Sequence, residues 1–115
     1  MTIGAVIGGG TVTKKYDIIT GDAQGWGYAH FKAVPIGTLA GDAYLCAVEI
    51  YYDGGAINHN YSFSLPSGFP KPDEDINFPG RGTGYGFIHK DGSAMFWSGG
   101  VTEQRVRTSY ISMMK

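Results

Sequence analysis

The residues of this chain with chemistry to offer are flat rings, imidazoles and guanidinium forks. A sugar presents a face of C–H groups and a rim of hydroxyls. A protein holds it with an aromatic ring against the face and directional polar groups around the rim. Trp26, Tyr28, Tyr51, Tyr85 and Trp97 supply rings, and Asp53, Asn58, His89, Arg105 and Arg107 supply rims. Any single aromatic also serves as core filler. For Trp97 the core and platform readings stand side by side. Trp26, flanked by Gly25 and Gly27, stands between core and an exposed or interface position.

Other chemistries find less to build on. A glycosidase needs two carboxylates across a cleft, one with a raised pKa. Among Asp17, Glu49, Asp53, Asp91 and Glu103, only Glu49 falls in mid-strand, and no spacing pairs it with a second acid. There is no Gly-x-Ser-x-Gly elbow, and Cys46 lies among apolar residues, where a thiol is inert. His30, His59 and His89 lack metal-ligand spacing; they meet only at a subunit axis or pocket, and are otherwise ordinary surface or half-buried residues. The run Gly80-Arg81-Gly82-Thr83-Gly84-Tyr85-Gly86 has the glycines of a phosphate loop but not its Lys-Ser/Thr pair, and it opens no helix. It reads as a loop and a strand with glycines at bulges. From it, Arg81 still reaches toward a phosphate with its bidentate fork. Neither a catalytic residue nor a metal or cofactor is expected.

The elements that must position these side chains follow from composition. The chain has 115 residues, the size of one small domain. Nine Lys and Arg against ten Asp and Glu give a charge of −1, which argues against a nucleic-acid partner. One cysteine excludes an intrachain disulfide and a thiolate-rich zinc site. No apolar run is long enough for a transmembrane helix, so membrane insertion is not expected, and Met1–Gly10 lacks the basic start of a signal peptide. So short a chain buries only about 60–70% of its unfolded surface, which makes subunit contacts a welcome source of stability. Nineteen glycines and 14% aromatics disfavour helix and favour short strands and tight turns. The expected fold is all-β, a small antiparallel β-barrel or sandwich.

Along the chain, Met1–Gly10 ends in three glycines and reads as a flexible linker or neck remnant, leaving 11–115 as a single β domain. Strands are expected over Thr11–Thr20, over Gly25–Val34 (stopped by Pro35), and over Ala43–Tyr52. The second puts Trp26, Tyr28, His30 and Lys32 on a polar face and Ala29, Phe31 and Ala33 on the other. The third puts Tyr44, Cys46, Val48 and Ile50 toward the core. Turns are expected at Gly21-Asp22, Gly41-Asp42 and Asp53-Gly54-Gly55. After a strand over Asn60–Leu65, the prolines of Pro66–Gly82 predict a long ordered crossover that exposes Asp73-Glu74-Asp75. Tyr85–His89 and Ser93–Ser98 form a hairpin about Lys90-Asp91-Gly92. Gly99-Gly100 breaks the chain before a last strand over Arg105–Met113.

Leu65-Pro66-Ser67-Gly68-Phe69-Pro70-Lys71-Pro72 resembles a proline turn common in phage tail modules, with Lys71 in place of the usual arginine. A strand, the Lys90-Asp91-Gly92-Ser93 hairpin, an aromatic strand with Phe96-Trp97 and a terminal strand with Ser109-Tyr110-Ile111-Ser112 follow it. From Gly41 to Lys115 this order resembles the C-terminal head domain of receptor-binding proteins from lactococcal and related siphophages. The resemblance implies a small β-barrel assembled as a homotrimer at the distal tail tip of the virion, among other tail or baseplate proteins. It implies binding, without cleavage, of a host cell-surface polysaccharide. The family's tryptophan falls on Trp97 or its neighbour Phe96, and its arginine on Arg105 or Arg107. The strand before the hairpin departs from the family: Tyr85 and Phe87 occupy the counted positions, and His89 sits beside the turn.

The expected saccharide site is therefore Trp97 as platform, Arg107 or Arg105 gripping oxygens, His89 and Tyr85 adding directional hydrogen bonds, and Arg81 nearby. A shallow site of this kind binds weakly, and presenting many copies raises apparent affinity by about 10²–10⁴. Two alternatives remain: a structural β-module of a tail or baseplate that binds no sugar, and a small carbohydrate-active enzyme.

Overall fold

A computed structural model describes residues 16–22 (as backbone), 27–53 and 56–114. Among these residues are eight strands: β1 (Tyr16–Asp22), β2 (Gly27–Thr38), β3 (Gly41–Tyr52), β4 (Asn60–Ser64), β5 (Ile76–Pro79), β6 (Tyr85–Ile88), β7 (Ser93–Trp97) and β8 (Gln104–Met113). They form two four-stranded antiparallel sheets, ordered β1-β2-β3-β8 and β4-β7-β6-β5. No helix occurs among the described residues.

Alternation along each strand decides what is buried. In the first sheet Ala29, Phe31 and Ala33 of β2, Cys46, Val48, Ile50 and Tyr52 of β3, and Val106 and Tyr110 of β8 enter the core. In the second sheet Tyr61, Phe63, Phe78, Ile88, Ala94 and Phe96 do so. Rings join the two sheets: Tyr52 lies 4.1 Å from Tyr61 and 5.6 Å from Phe96, and Phe31 lies 6.3 Å from Phe63. Each such pair adds about 0.5–1.5 kcal/mol beyond the area it buries. The inward sets on β2 and β3 are those the alternation predicts. Two stacked sheets fit the sandwich of the two expected architectures.

The proline turn is anchored. Phe69 N–H donates to Pro66 O at 3.0 Å, and Gly68 takes the positive φ, 81°, that this turn requires. Phe69 is buried edge-on against Phe31 at 5.8 Å, and Tyr110 donates its hydroxyl to Pro70 O at 2.6 Å. The hairpin at Lys90-Asp91-Gly92 forms as expected. Gly92 has φ 94°, and Asp91 accepts from both the N–H and the hydroxyl of Ser93.

Several boundaries differ from the sequence expectation. Pro35 does not end β2, which runs on to Thr38. Pro35 lies beyond Tyr16↔Ala33, the last described pair with β1, and stands opposite Tyr44 of β3. Gly21 and Asp22 do not turn but pair with Ala29 and Tyr28. The next turn is at Leu39-Ala40, with Gly41 already in β3. The proline-rich crossover contains a strand, β5, tolerated because it lies at the sheet edge with Pro79 at its end. Met1–Gly10, Trp26, Gly54 and Gly55 lie outside the described residues.

Candidate functional site

The expected site residues fall on two different sheets. Phe96 points into the core, so its neighbour Trp97 points outward, away from that core. On the same outer face Trp97 is paired with Tyr85 of β6 on one side and Asn60 of β4 on the other. The next row is Ser62, Met95, Phe87 and Asn77. Tyr85 is 51% exposed, while Trp97 and Phe87 are half-buried, so rings lie on the sheet with surface left to offer.

His89 closes this strip at the hairpin. Its ring centroid is 4.5 Å from that of Phe87, and its Nδ1 lies 3.2 Å from Asp75 Oδ2. The other oxygen of Asp75 accepts the Lys90 N–H at 2.8 Å. The Lys90 N–H, and then the His89 side chain, hold the Asp75 carboxyl below the usual carboxylate range. The Ser93 hydroxyl and N–H do the same for Asp91.

Arg105 and Arg107 are elsewhere, and the single pocket expected from the sequence is not formed. β8 pairs with β3, in the first sheet, whereas β7 belongs to the second. Odd-numbered residues of β8 face outward there, because Val106 and Tyr110 face the core. Arg105 stacks over Tyr51, with Cζ 4.8 Å from the ring centroid. Arg107 Nε donates to Glu49 Oε2 at 2.8 Å, and His30 Nδ1 lies 3.6 Å from Glu49 Oε1. Tyr28 stacks on His30 at 4.0 Å and on Tyr51 at 5.3 Å. The phenol of Tyr51 is shifted upward, chiefly by its hydrogen bond to Asp53.

Arg81 joins neither group. Its guanidinium donates to the Glu103 backbone oxygen at 3.1 Å and to the Glu103 carboxylate at 3.4 Å. The glycine-rich run around it is an ordered turn, with Gly80 N–H donating to Gly84 O and Gly84 N–H to Arg81 O. Trp97, Tyr85 and His89 thus come together, Arg105 and Arg107 come together on the other sheet, and Arg81 stands apart.

Two partnerships were missed from the sequence: Asp75 with His89, and His30 with Glu49 and Arg107. Their signal is cross-strand register, which residue spacing does not reveal. A cleft of about 600 Å³ beside the proline turn is lined by Tyr44, Phe69, Lys71, Asp73, Lys90 and Met113, and by none of the expected binders. Among the described residues no group of three His, Cys, Asp or Glu side chains is placed to hold a metal. No protein family, curated protein or solved structure matches this chain.

Proposed function

We propose that this chain is the non-catalytic head of a phage tail adhesin that binds host cell-wall saccharide through the outer face of its second sheet. The observation that carries the reading is the Tyr85–Trp97 pair, two outward rings side by side, continued by Phe87 and His89. Rings on a sheet accept the C–H face of a sugar. His89 and Asp75 at one end, and Asn60 and Asn77 at the flanks, offer donors and acceptors for hydroxyls. The proline turn and hairpin that resemble the siphophage heads support the tail context. In that context the chain works as a homotrimer at the distal tail tip, alongside other tail or baseplate proteins. Glycoside cleavage needs a carboxylic acid kept protonated. The Lys90 N–H and the His89 side chain instead shift the Asp75 carboxyl downward, opposite to the direction a general acid needs.

The test is adsorption to host cell walls. The parent chain should be retained on walls and release no soluble fragments. Trp97→Ala should abolish retention while light scattering still finds the parent's oligomer. Full retention by Trp97→Ala, or soluble wall fragments released by the parent, would overturn the proposal.

A further inference from the structure

The outer face of the first sheet carries a second, differently built surface. Ala47 lies exposed between Lys32 of β2 and Ser109 of β8, and the small side chain leaves a hollow of about 240 Å³. Its walls include His30, Lys32, Glu49, Arg107 and Thr108. That is below the range of about 300–1,000 Å³ typical of drug-sized ligands, and suits a single ring.

The polar groups around the hollow are held in place before any ligand arrives. The Glu49 side chain is only 25% exposed and is fixed by Arg107 at 2.8 Å, with His30 3.6 Å away. His30 is held flat by its stack with Tyr28. Arg107 uses Nε for Glu49, and among the described residues its two terminal nitrogens have no hydrogen-bond partner. Lys32 has no ion-pair partner among the described residues. Among the described residues, Lys32 and Arg107 therefore bring two cations to a hollow with one carboxylate, and that carboxylate is already engaged.

We propose that this hollow binds a sugar ring bearing a carboxylate, a hexuronic acid residue. The proposal rests on the saccharide-binding reading above and adds a second subsite to it. The free edge of the Arg107 guanidinium takes the ligand carboxylate as a fork, and Lys32 adds a point charge. The spare lone pairs of Glu49 accept ring hydroxyls, and the C–H face of the sugar lies over the Ala47 methyl. This hollow and the Trp97 strip lie on the outer faces of different sheets, so they engage different sugar units. One subunit then grips a polysaccharide at two points, which multiplies avidity.

The experiment is a titration of the full chain, followed by backbone amide NMR shifts, with sodium glucuronate, glucose and inorganic phosphate as separate probes. Glucuronate should shift the amides of Lys32, Ala47 and Ser109 at least tenfold more tightly than glucose or phosphate. Ala47→Leu, which fills the hollow from an exposed position, should abolish these shifts and weaken, without abolishing, the wall retention that Trp97 provides. Lys32→Gln should weaken glucuronate at least threefold. Equal response to phosphate would mark an adventitious ion only, and unchanged binding by Ala47→Leu would place the ligand elsewhere; either result overturns the proposal. Wall retention that depends on Trp97, with no glucuronate response, sinks this subsite and leaves the adhesin reading standing. Glucuronate binding at the hollow without wall retention does the reverse.

Discussion

Gln104 and Arg81 are joined by two hydrogen bonds that imitate a strand pair. The Arg81 N–H donates to Gln104 Oε1 at 2.7 Å, and Gln104 Nε2 donates to Arg81 O at 3.0 Å. The same nitrogen donates to Ser98 O at 3.0 Å, and the Gln104 side chain is fully buried. One amide thus satisfies the backbone of the glycine-rich turn and of the chain leaving β7.

Gln104→Ala should therefore destabilise the fold. It leaves buried backbone groups without partners, at about 1–3 kcal/mol for each one that water does not reach. Urea denaturation should show a lower midpoint with an unchanged slope. An unchanged midpoint would mean that the amide is not what holds the turn.

Phe96 and Trp97 are neighbours with opposite fates, and substitution should separate them. Phe96 is fully buried between Tyr52 and Phe78, so Phe96→Ala should cost about 3–5 kcal/mol. Trp97 faces outward, and Trp97→Ala should cost clearly less in the same denaturation experiment. Equal losses would return Trp97 to a core role.

Gly86 should not tolerate even alanine. A Cβ there would collide with the Phe78 ring and approach the Met95 carbonyl to 2.9 Å. Phe78 is itself core, so it has little room to yield, and overpacking of this kind typically costs about 1–3 kcal/mol. A Gly86→Ala variant with the parent's thermal midpoint would mean that β5 shifts outward without penalty.

The alternation of β2 and β3 could be read directly, because Phe31 and Val48 differ in polarity from their neighbours Lys32 and Glu49. The β6–β7 hairpin was legible because Asp91-Gly92 has a specific backbone meaning. Strand partnership was not legible. β7 and β8 are consecutive in the chain, yet they belong to different sheets, and this parts Trp97 from Arg105 and Arg107. β5 was hidden because Pro79 would bar only a strand with neighbours on both sides, and among the described strands β5 has one. The resemblance to siphophage heads pointed to the rings of the β6–β7 hairpin but not to the Glu49 cluster, whose members are assembled by register.

Acid should loosen the hairpin end of the second sheet. Asp75 and Asp91 have folded-state pKa values below their ordinary ones, owing first to the Lys90 N–H and to the Ser93 hydroxyl, respectively. A lowered carboxyl contributes stability that is fully present above its unfolded value, near ~4. That contribution fades as pH falls through the folded value. Denaturation midpoints should drop as pH falls below ~4, and less steeply in Asp75→Asn. A parent and variant with identical pH profiles would show that Asp75 contributes nothing to this loss.

Cys46 offers a label for the opening of β3. Its side chain is fully buried, and burial, partly offset by a hydrogen bond with Tyr110, pushes the thiol up to about 11. Only the thiolate reacts, so at pH 8 roughly one molecule in a thousand is ionised in the folded state, against about a quarter for a free thiol. Access is blocked as well. Thiol labelling at pH 8 should be slow in the native protein and fast in denaturant. At low denaturant the labelling rate should follow the population of opened molecules. The Tyr110 hydroxyl also anchors Pro70, so Tyr110→Phe should speed native labelling by releasing the proline turn that covers this part of the core. Rapid labelling of the unaltered native protein would show that β3 opens locally, and that the ring contacts between the sheets do not close the core over Cys46.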